Sequence, residues 1–278
     1  MRKDLIIFSD LDGTALGDNH LFSTETKNTV SKLYENGIYF CPITARSPVD
    51  ILNQGKILKL DQYGGIIAGA NGAKIYDFKT KKWIFESYID RNTIETIFKE
   101  TFGKIGKIKV HYFADDTVYV YGMGENSKYW SDLMKMDYNI IETVVEITKP
   151  ITHLTIVLEK DSTDENAEQF FQNYINKLPN VDIKKYTKRV FEVINKGVNK
   201  GLAVRKICEY LGFDKKTSKS YAFGDSFNDF EMFEKVNVGV AMENAITQLI
   251  ELADDRTKNN NENGVSQYIE NVILKDCK

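Results

Sequence analysis

Two carboxylates stand two residues apart in the stretch "IIFSDLDGTAL", directly after a short apolar run. The continuous apolar run is typical of a strand that is covered on both faces. Residues i and i+2 of an extended chain point to the same side, so Asp10 and Asp12 can face one site. Side by side, they repel unless a cation or a shared proton relieves them. The spacing indicates acid chemistry, although Asp and Gly are also common turn residues.

More polar residues follow later strand-like segments or begin the helix after them. Ligands of open α/β sheets gather at the carboxyl ends of the strands. The residues at such positions are Thr44, Lys200, Asp225, Asn228 and Asp229. A cluster of carboxylate oxygens without His or Cys suits Mg²⁺.

These groups permit a division of labour in phosphoryl transfer. Asp10 can attack phosphorus and form an aspartyl phosphate, and Asp12 can protonate the leaving alcohol and then help to deprotonate water. Asp225 can hold Mg²⁺ together with Asp10, so that the cation neutralises the nucleophile and the phosphate oxygens. The Thr44 hydroxyl and the Lys200 ammonium can hold the remaining phosphate oxygens.

Each residue also has a simpler explanation. Asp225 and Asn228 could merely cap the following helix, and Thr is ordinary at the end of a strand, as at Thr44. Lys200 could be a surface lysine, and Lys196 is its rival four residues earlier. A cation is disfavoured at a helix start, so Lys200 makes better sense if it faces an anion.

Two further features have structural explanations that compete with functional ones. Asn71 in "ANGA" could take a left-handed turn conformation ahead of Gly72. Aromatic residues in the middle of the chain could line a ligand pocket, but aromatics in hairpins more often pack. These residues are Phe113, Tyr119, Tyr121 and Trp130.

The elements that must position the acids alternate between strand and helix. The first third and the last third of the chain both show this rhythm, which is typical of a doubly wound parallel sheet. The helix after the second strand should begin at Pro48, with Ser47 as its cap. Between these parts, hairpin-like pairs and helical stretches, one at 163–178, predict an antiparallel sheet with helices on one face. We expect an α/β core of residues 1–80 and 191–278 and an inserted α+β domain of residues 81–190.

Composition excludes several classes of protein. The chain has 278 residues, 42% of them hydrophobic, and a net charge of −3. Slight acidity gives no reason to expect nucleic acid, and the apolar runs are far too short to span a membrane. The odd cysteine count and wide cysteine spacing favour a reducing compartment. We expect a cytoplasmic protein, and no obligate protein partner is evident.

The motifs "DLDGT", "ITAR", "NKG" and "GDSFND", in this order, resemble those of the haloacid dehalogenase superfamily. More narrowly, "ANGA", "GDSFNDFEM" and "NNENGVSQYIE" are similar to signatures of its Cof-type phosphatases, and the long insert resembles the type-IIB cap. The resemblance covers nearly the whole chain. It implies a Rossmann-like core, a mobile cap that selects the substrate, and Mg²⁺.

The resemblance also implies roles for individual residues. Asp10 would be the nucleophile and Asp12 the acid and base. Mg²⁺ would be bound by the side chains of Asp10 and Asp225 and the backbone carbonyl of Asp12, with Asp229 near the metal. Residues that would contact phosphate or substrate are Thr44, Arg46, Lys200 and Asn228. Ala45 stands where the family often has Gly, which leaves Thr44 intact.

The expected function is a Mg²⁺-dependent phosphatase that hydrolyses phosphate monoesters of small metabolites, sugar phosphates above all. A phosphomutase shares this kind of core and cap and would return the phosphoryl group to the substrate. A non-catalytic metabolite-binding regulator is the third hypothesis. Its usual sign would be the loss of a motif acid, and all are present.

Overall fold

The computed structural model describes residues 4–102, 108–122, 127, 136–158, 177–185 and 189–275. The chain forms two compact units, a core unit (Met1–Arg46, Ile51–Glu86 and Asn199–Lys278) and an inserted unit (Ser47–Asp50 and Ser87–Val198). These units divide later along the chain than the boundaries at 80/81 and 190/191, which stay a prediction.

The strands account for both sheets of the core unit and for the sheet of the inserted unit. In chain order they are β1 (Leu5–Ser9), β2 (Tyr39–Pro42), β3 (Ile66–Gly69), β4 (Lys74–Asp77), β5 (Lys82–Glu86), β6 (Ile108–Phe113), β7 (Thr117–Tyr121), β8 (Asp137–Ile140), β9 (His153–Leu158), β10 (Val181–Lys185), β11 (Val190–Asn195), β12 (Lys219–Gly224), β13 (Val238–Met242) and β14 (Asp255–Thr257).

The described residues form α-helices in both units. They are α1 (Thr24–Glu35), α2 (Pro48–Ile57), α3 (Leu60–Tyr63), α4 (Arg91–Thr101), α5 (Lys200–Leu211), α6 (Phe230–Phe233), α7 (Thr247–Leu252) and α8 (Gly264–Tyr268). The start of α2 at Pro48 confirms the prediction, and the Asp50 amide lies 3.3 Å from the Ser47 hydroxyl.

The main sheet of the core unit has five strands in the order β14-β13-β12-β1-β2, and every neighbouring pair is parallel. All five residues of β1 are buried, as expected of a central strand with helices on both faces. This sheet confirms the α/β fold class. It also brings the carboxyl ends of β1 and β12 together, because Ser9 lies opposite Phe223 in the register.

A smaller antiparallel sheet, β3-β4-β5, completes the core unit. A parallel bridge from Ile43 to Ala68 joins β3 to the chain just after β2. β5 pairs with β4, so this hairpin belongs to the core unit.

The inserted unit contains a six-stranded sheet in the order β10-β11-β9-β6-β7-β8. Helix α4 packs its apolar side, Ile94 and Ile97, in one cluster with Val110, Ile156 and Val193 of the sheet. The expectation of a purely antiparallel sheet is wrong at one edge, because β8 pairs parallel with β7. Residues 163–176 of the helix predicted at 163–178 lie outside the described part of the chain.

None of the described helices combines the length and the apolar character that crossing a bilayer requires.

Candidate active site

Three carboxylates converge at the carboxyl ends of β1 and β12. Asp10 directly follows β1, Asp225 directly follows β12, and Asp229 ends the 3₁₀ turn Phe227–Asp229. The Asp10 amide donates to the Phe223 carbonyl over 2.9 Å, which extends the pairing of the two strands up to the acids. One carboxylate oxygen of each acid lies within 4.8 Å of the other two. Parallel pairing therefore joins residues more than two hundred positions apart into one acidic cluster.

A buried lysine accompanies this cluster. Lys200 Nζ lies 2.8 Å from Asp10 Oδ1 and 2.7 Å from Asp229 Oδ1, and the Lys200 side chain is fully buried. Burial lowers the pKa of Lys200, but the two carboxylates outweigh burial and hold that pKa above its ordinary value. Lys200 is therefore charged at neutral pH. Lys196, the alternative lysine, is exposed in the inserted unit.

The acids carry more negative charge than Lys200 alone offsets. Burial raises the pKa of Asp10 well above its ordinary value; Lys200 opposes this, while Asp229 and Asp225 add to it. Burial and the neighbouring Asp229 carboxylate also raise the pKa of Asp225, to about 6. A second positive charge at the cluster would keep both acids ionised. The all-oxygen donor set fits a hard divalent cation such as Mg²⁺.

The hydrogen bonds divide the three acids by role. Asp229 Oδ1 accepts from Lys200, and Asp229 Oδ2 accepts from the amides of Asp225 and Ser226, each over 3.0 Å. Asp225 Oδ1 accepts from Thr14 Oγ1 over 2.8 Å. Asp229 thus anchors Lys200 and the loop that bears Asp225. Asp10 and Asp225 are the acids better placed to hold a cation.

Gly13 gives Asp225 the space for its carboxylate. The φ angle of Gly13 is +73°, in the left-handed region that favours glycine. A Cβ atom at this position would lie 2.5 Å from Asp225 Oδ2 and 2.8 Å from its Cγ. The glycine of "DLDGT" is therefore required both by the turn and by the close approach of the second acid.

A polar turn lies beside Thr44 in the core unit. Thr44 is buried two residues after β2, and its carbonyl accepts from the Asn71 amide over 3.0 Å. Asn228 Nδ2 donates to Asn71 Oδ1 over 3.1 Å, which joins the "ANGA" and "GDSFND" motifs. Asn71 has a φ of +51°, which confirms its left-handed conformation. A Cβ on Gly72 would lie 2.5 Å from the Asn199 carbonyl oxygen, so this turn packs against the start of α5.

Asp12 is held by two side chains from different loops. Arg46 donates from Nε to Asp12 Oδ2 over 2.7 Å and from Nη2 to Asp12 Oδ1 over 2.6 Å. His20 Nδ1 lies 3.0 Å from the same Oδ1. Partial burial raises the pKa of Asp12, but the hydrogen bonds and charges of Arg46 and His20 outweigh it and hold the pKa below its ordinary value. Asp12 is therefore a carboxylate at neutral pH in the free protein.

Several contacts were not predicted from the sequence. Thr14, His20 and Asn71 all contact predicted site residues. Of the three, only Asn71 stands out in the sequence, where it is interpreted as a turn residue. The "DGT" triplet was a signal for Thr14, since it follows the two acids directly. No local pattern indicated His20, because its contact depends on how the loop after Asp12 turns back.

The aromatic residues of the inserted unit pack within its own structure. Tyr119 belongs to the cluster that contains α4, and Tyr121 packs on Phe102 with ring centroids 4.6 Å apart. Phe113 stacks on His153 at 4.4 Å. Packing was the favoured interpretation, and these contacts support it. Trp130 lies outside the described residues.

Comparisons with known proteins agree with this geometry. The family model described as haloacid dehalogenase-like hydrolase matches residues 7–269. A Haemophilus influenzae protein named "Putative phosphatase" is 31% identical over 272 residues, covering 95% of this chain and 96% of its own length. A 5-amino-6-(5-phospho-D-ribitylamino)uracil phosphatase of Bacillus subtilis is 25% identical, covering 96% and 97% of the two chains.

The fold also matches solved structures over nearly the whole chain. The crystal structure of a Thermotoga maritima protein superposes with a TM-score of 0.81 at 27% identity, covering 98% of each chain. These matches confirm the resemblance drawn from the four motifs. Because the family model spans nearly the whole sequence, the chain belongs to the haloacid dehalogenase-like hydrolases and is a phosphatase that acts on phosphate monoesters.

Proposed function

We propose that this chain is a Mg²⁺-dependent phosphatase of phosphorylated small metabolites, with phosphates of sugars and sugar alcohols as its substrate class, and that Asp10 is the nucleophile. The observation that carries the proposal is the grouping of Asp10, Asp225 and Asp229, whose carboxylate oxygens lie within 4.8 Å of one another, with the Lys200 ammonium paired to Asp10 and Asp229. Such a cluster binds a cation and, with it, an anionic substrate.

The residues would divide the first half-reaction as follows. A carboxylate oxygen of Asp10 attacks phosphorus, the Asp10–phosphorus bond forms, and the bond from phosphorus to the alcohol oxygen breaks. Asp12 gives the alcohol oxygen its proton. Lys200 orients Asp10 and favours its ionised form, while the hydroxyl of Thr44 and the amide of Asn228 hold phosphate oxygens. A dianionic phosphate beside Asp12 raises the pKa of that carboxyl, which supplies the protonated form.

The second half-reaction reverses the role of Asp12. Water attacks phosphorus, Asp12 takes the water proton, and the bond between Asp10 and phosphorus breaks to release inorganic phosphate. The side chains of Asp10 and Asp225 and the backbone carbonyl of Asp12 would hold Mg²⁺, with Asp229 nearby. When bound, Mg²⁺ supplies positive charge that offsets the acids and the phosphate oxygens.

The substrate class rests on relatives as well as on the site. The Bacillus subtilis relative acts, by its name, on a phosphorylated ribityl group, which is a sugar-alcohol phosphate. Two further Bacillus subtilis relatives carry the same name at 25% and 27% identity. We assign the choice among such substrates to the inserted unit, as the family resemblance implies.

A phosphate-release screen over sugar phosphates, nucleotides and cofactor phosphates, with and without Mg²⁺, tests the proposal. We expect Mg²⁺-dependent release, fastest on sugar or sugar-alcohol phosphates, and loss of turnover in Asp10→Asn, whose amide is not a nucleophile. Asp61→Asn removes an exposed carboxylate of α3 and is the matched control, with full activity expected.

The outcomes separate the rival functions. Free phosphate from a monoester supports hydrolysis, whereas an isomerised sugar phosphate without release would show a phosphomutase. Binding of metabolites without turnover would show a non-catalytic protein. Turnover by Asp10→Asn at the wild-type rate would contradict the assigned nucleophile.

A further inference from the structure

The third hydrogen-bond donor to Asp12 comes from a residue that the proposed mechanism does not use. His20 Nδ1 lies 3.0 Å from Asp12 Oδ1, the oxygen that also accepts from Arg46. Because a carboxylate only accepts hydrogen bonds, the imidazole donates from Nδ1. The Asp12 side chain keeps 41% of its surface exposed, so packing alone does not fix its orientation.

The turn that carries His20 is closed by its own hydrogen bonds. The His20 amide donates to the Gly17 carbonyl over 2.8 Å, and the Gly17 amide donates to the Leu21 carbonyl over 3.1 Å. The Leu21 amide donates to Asn19 Oδ1 over 3.0 Å. The backbone beneath the imidazole is thus defined by three bonds within five residues.

The far end of the chain holds this turn in place. Asn261 accepts from the Asp18 amide over 3.0 Å and donates to Asp18 Oδ2 over 2.8 Å. Asn260 Nδ2 lies 2.9 Å from Asp18 Oδ1 and 3.1 Å from the Leu16 carbonyl oxygen. A surface pair between two mobile side chains contributes little, but here the donor stands on a doubly anchored turn.

We propose that His20 is a positioning residue for Asp12, and that the "NNENG" loop near the C-terminus acts on the reaction by holding the His20 turn. This inference rests on the proposed role of Asp12 as acid and base. Arg46, after β2, and His20, after β1, hold the carboxylate from two separate elements. Together they keep Asp12 in the one orientation from which it can reach the leaving oxygen.

The backbone of His20 offers a matched pair of variants. Its φ is +59°, a conformation that both Gly and Asn adopt readily. His20→Gly removes the donor without backbone strain. His20→Asn keeps a side-chain N–H near the position of Nδ1. A role in folding alone predicts that both variants behave alike, whereas a positioning role predicts that only Asn restores the rate.

The test compares two leaving groups, since only a poor leaving group needs a proton from Asp12. With the sugar phosphate that the wild-type protein hydrolyses fastest, we expect kcat/KM of His20→Gly, which reports the first half-reaction, to fall about 10-fold, a part of the ~10²–10⁴-fold that acid–base catalysis contributes. With p-nitrophenyl phosphate, whose phenolate leaves unprotonated, we expect a much smaller loss. His20→Asn should recover most of the rate, and KM should stay near its wild-type value in both variants.

Equal losses on the two substrates, full activity of His20→Gly on the sugar phosphate, or failure of His20→Asn to recover the rate would each overturn the inference. In those cases the wild-type protein still releases phosphate, so the proposed function stands. Wild-type protein that hydrolyses neither substrate would overturn both. Thermal unfolding of the variants checks that they are folded.

Discussion

Substitution of Gly13 by alanine tests the geometry of the acidic cluster most directly. The new Cβ would stand 2.5 Å from Asp225 Oδ2, against an optimal separation of about 3.5 Å between non-bonded heavy atoms. The Thr14 hydrogen bond to Asp225 Oδ1 restricts the response of the carboxylate. The Asp225 carboxylate must therefore move by about 1 Å, away from the position in which it faces Asp10.

The expected effect has two separable parts. At a φ of +73°, alanine lowers the free energy of unfolding by about 1–2 kcal/mol. Displacement of a site group by 1 Å costs about 10²-fold in rate. We therefore expect Gly13→Ala to remain folded with a modest loss of stability, and to lose about 10²-fold in kcat/KM together with a higher Mg²⁺ requirement.

Gly197→Ala is the matched control. Gly197 has a φ of +74°, and a Cβ there would have nothing within 4 Å. It bears the same backbone cost without a clash. Phosphate release across a Mg²⁺ titration, with urea unfolding in parallel, measures both parts. Wild-type kcat/KM in Gly13→Ala, or an equal loss of rate in Gly197→Ala, would refute the reasoning.

Three further predictions concern charge. Chelation of divalent metal should abolish phosphate release and added Mg²⁺ should restore it, and activity indifferent to the chelator would remove the metal from the mechanism. Lys200→Met should lower phosphate release strongly and the melting temperature only modestly, because Asp10 and Asp229 lose their shared partner. Unchanged activity would contradict the role of Lys200 in orienting Asp10. Burial lowers the pKa of His111 to about 4 and that of His153 to about 3, against about 6.5 in the unfolded chain. Below pH 6.5 the unfolded chain therefore binds protons that the folded protein does not, so the stability is full above pH 6.5 and is lost as pH falls. The free energy of unfolding of the inserted unit, measured with urea, should fall by several kcal/mol between pH 7 and pH 4. His153→Gln should make this pH dependence weaker.

Sequence patterns predicted those parts of the fold that depend on local rules. The apolar run of β1 and the cap and proline at the start of α2 reflect contacts within a few residues. The acids after β1 and β12 could be predicted to lie close together because parallel strands align their carboxyl ends.

The remaining features depend on contacts that no local pattern encodes. Strand β8 pairs parallel with β7 through a connection that sequence alternation does not specify. The sequence pattern of the β4–β5 hairpin does not depend on the unit to which the hairpin belongs. Its pairing with β3 is what places it in the core unit. The contacts from His20 to Asp12 and from Asn228 to Asn71 require loops to meet in space.

The pairing of β1 with β12 also has a consequence for synthesis of the protein. One edge of β1 meets β2 soon after both are made, but the other edge awaits Lys219–Gly224. At about 5–20 residues per second, the ribosome takes roughly 10–40 s to deliver that partner. During this interval the strand "LIIFS" presents an open, apolar edge, which is the kind of surface that aggregates or binds chaperones. Asp10 thus meets Asp225 and Asp229 only after more than two hundred further residues have been synthesised.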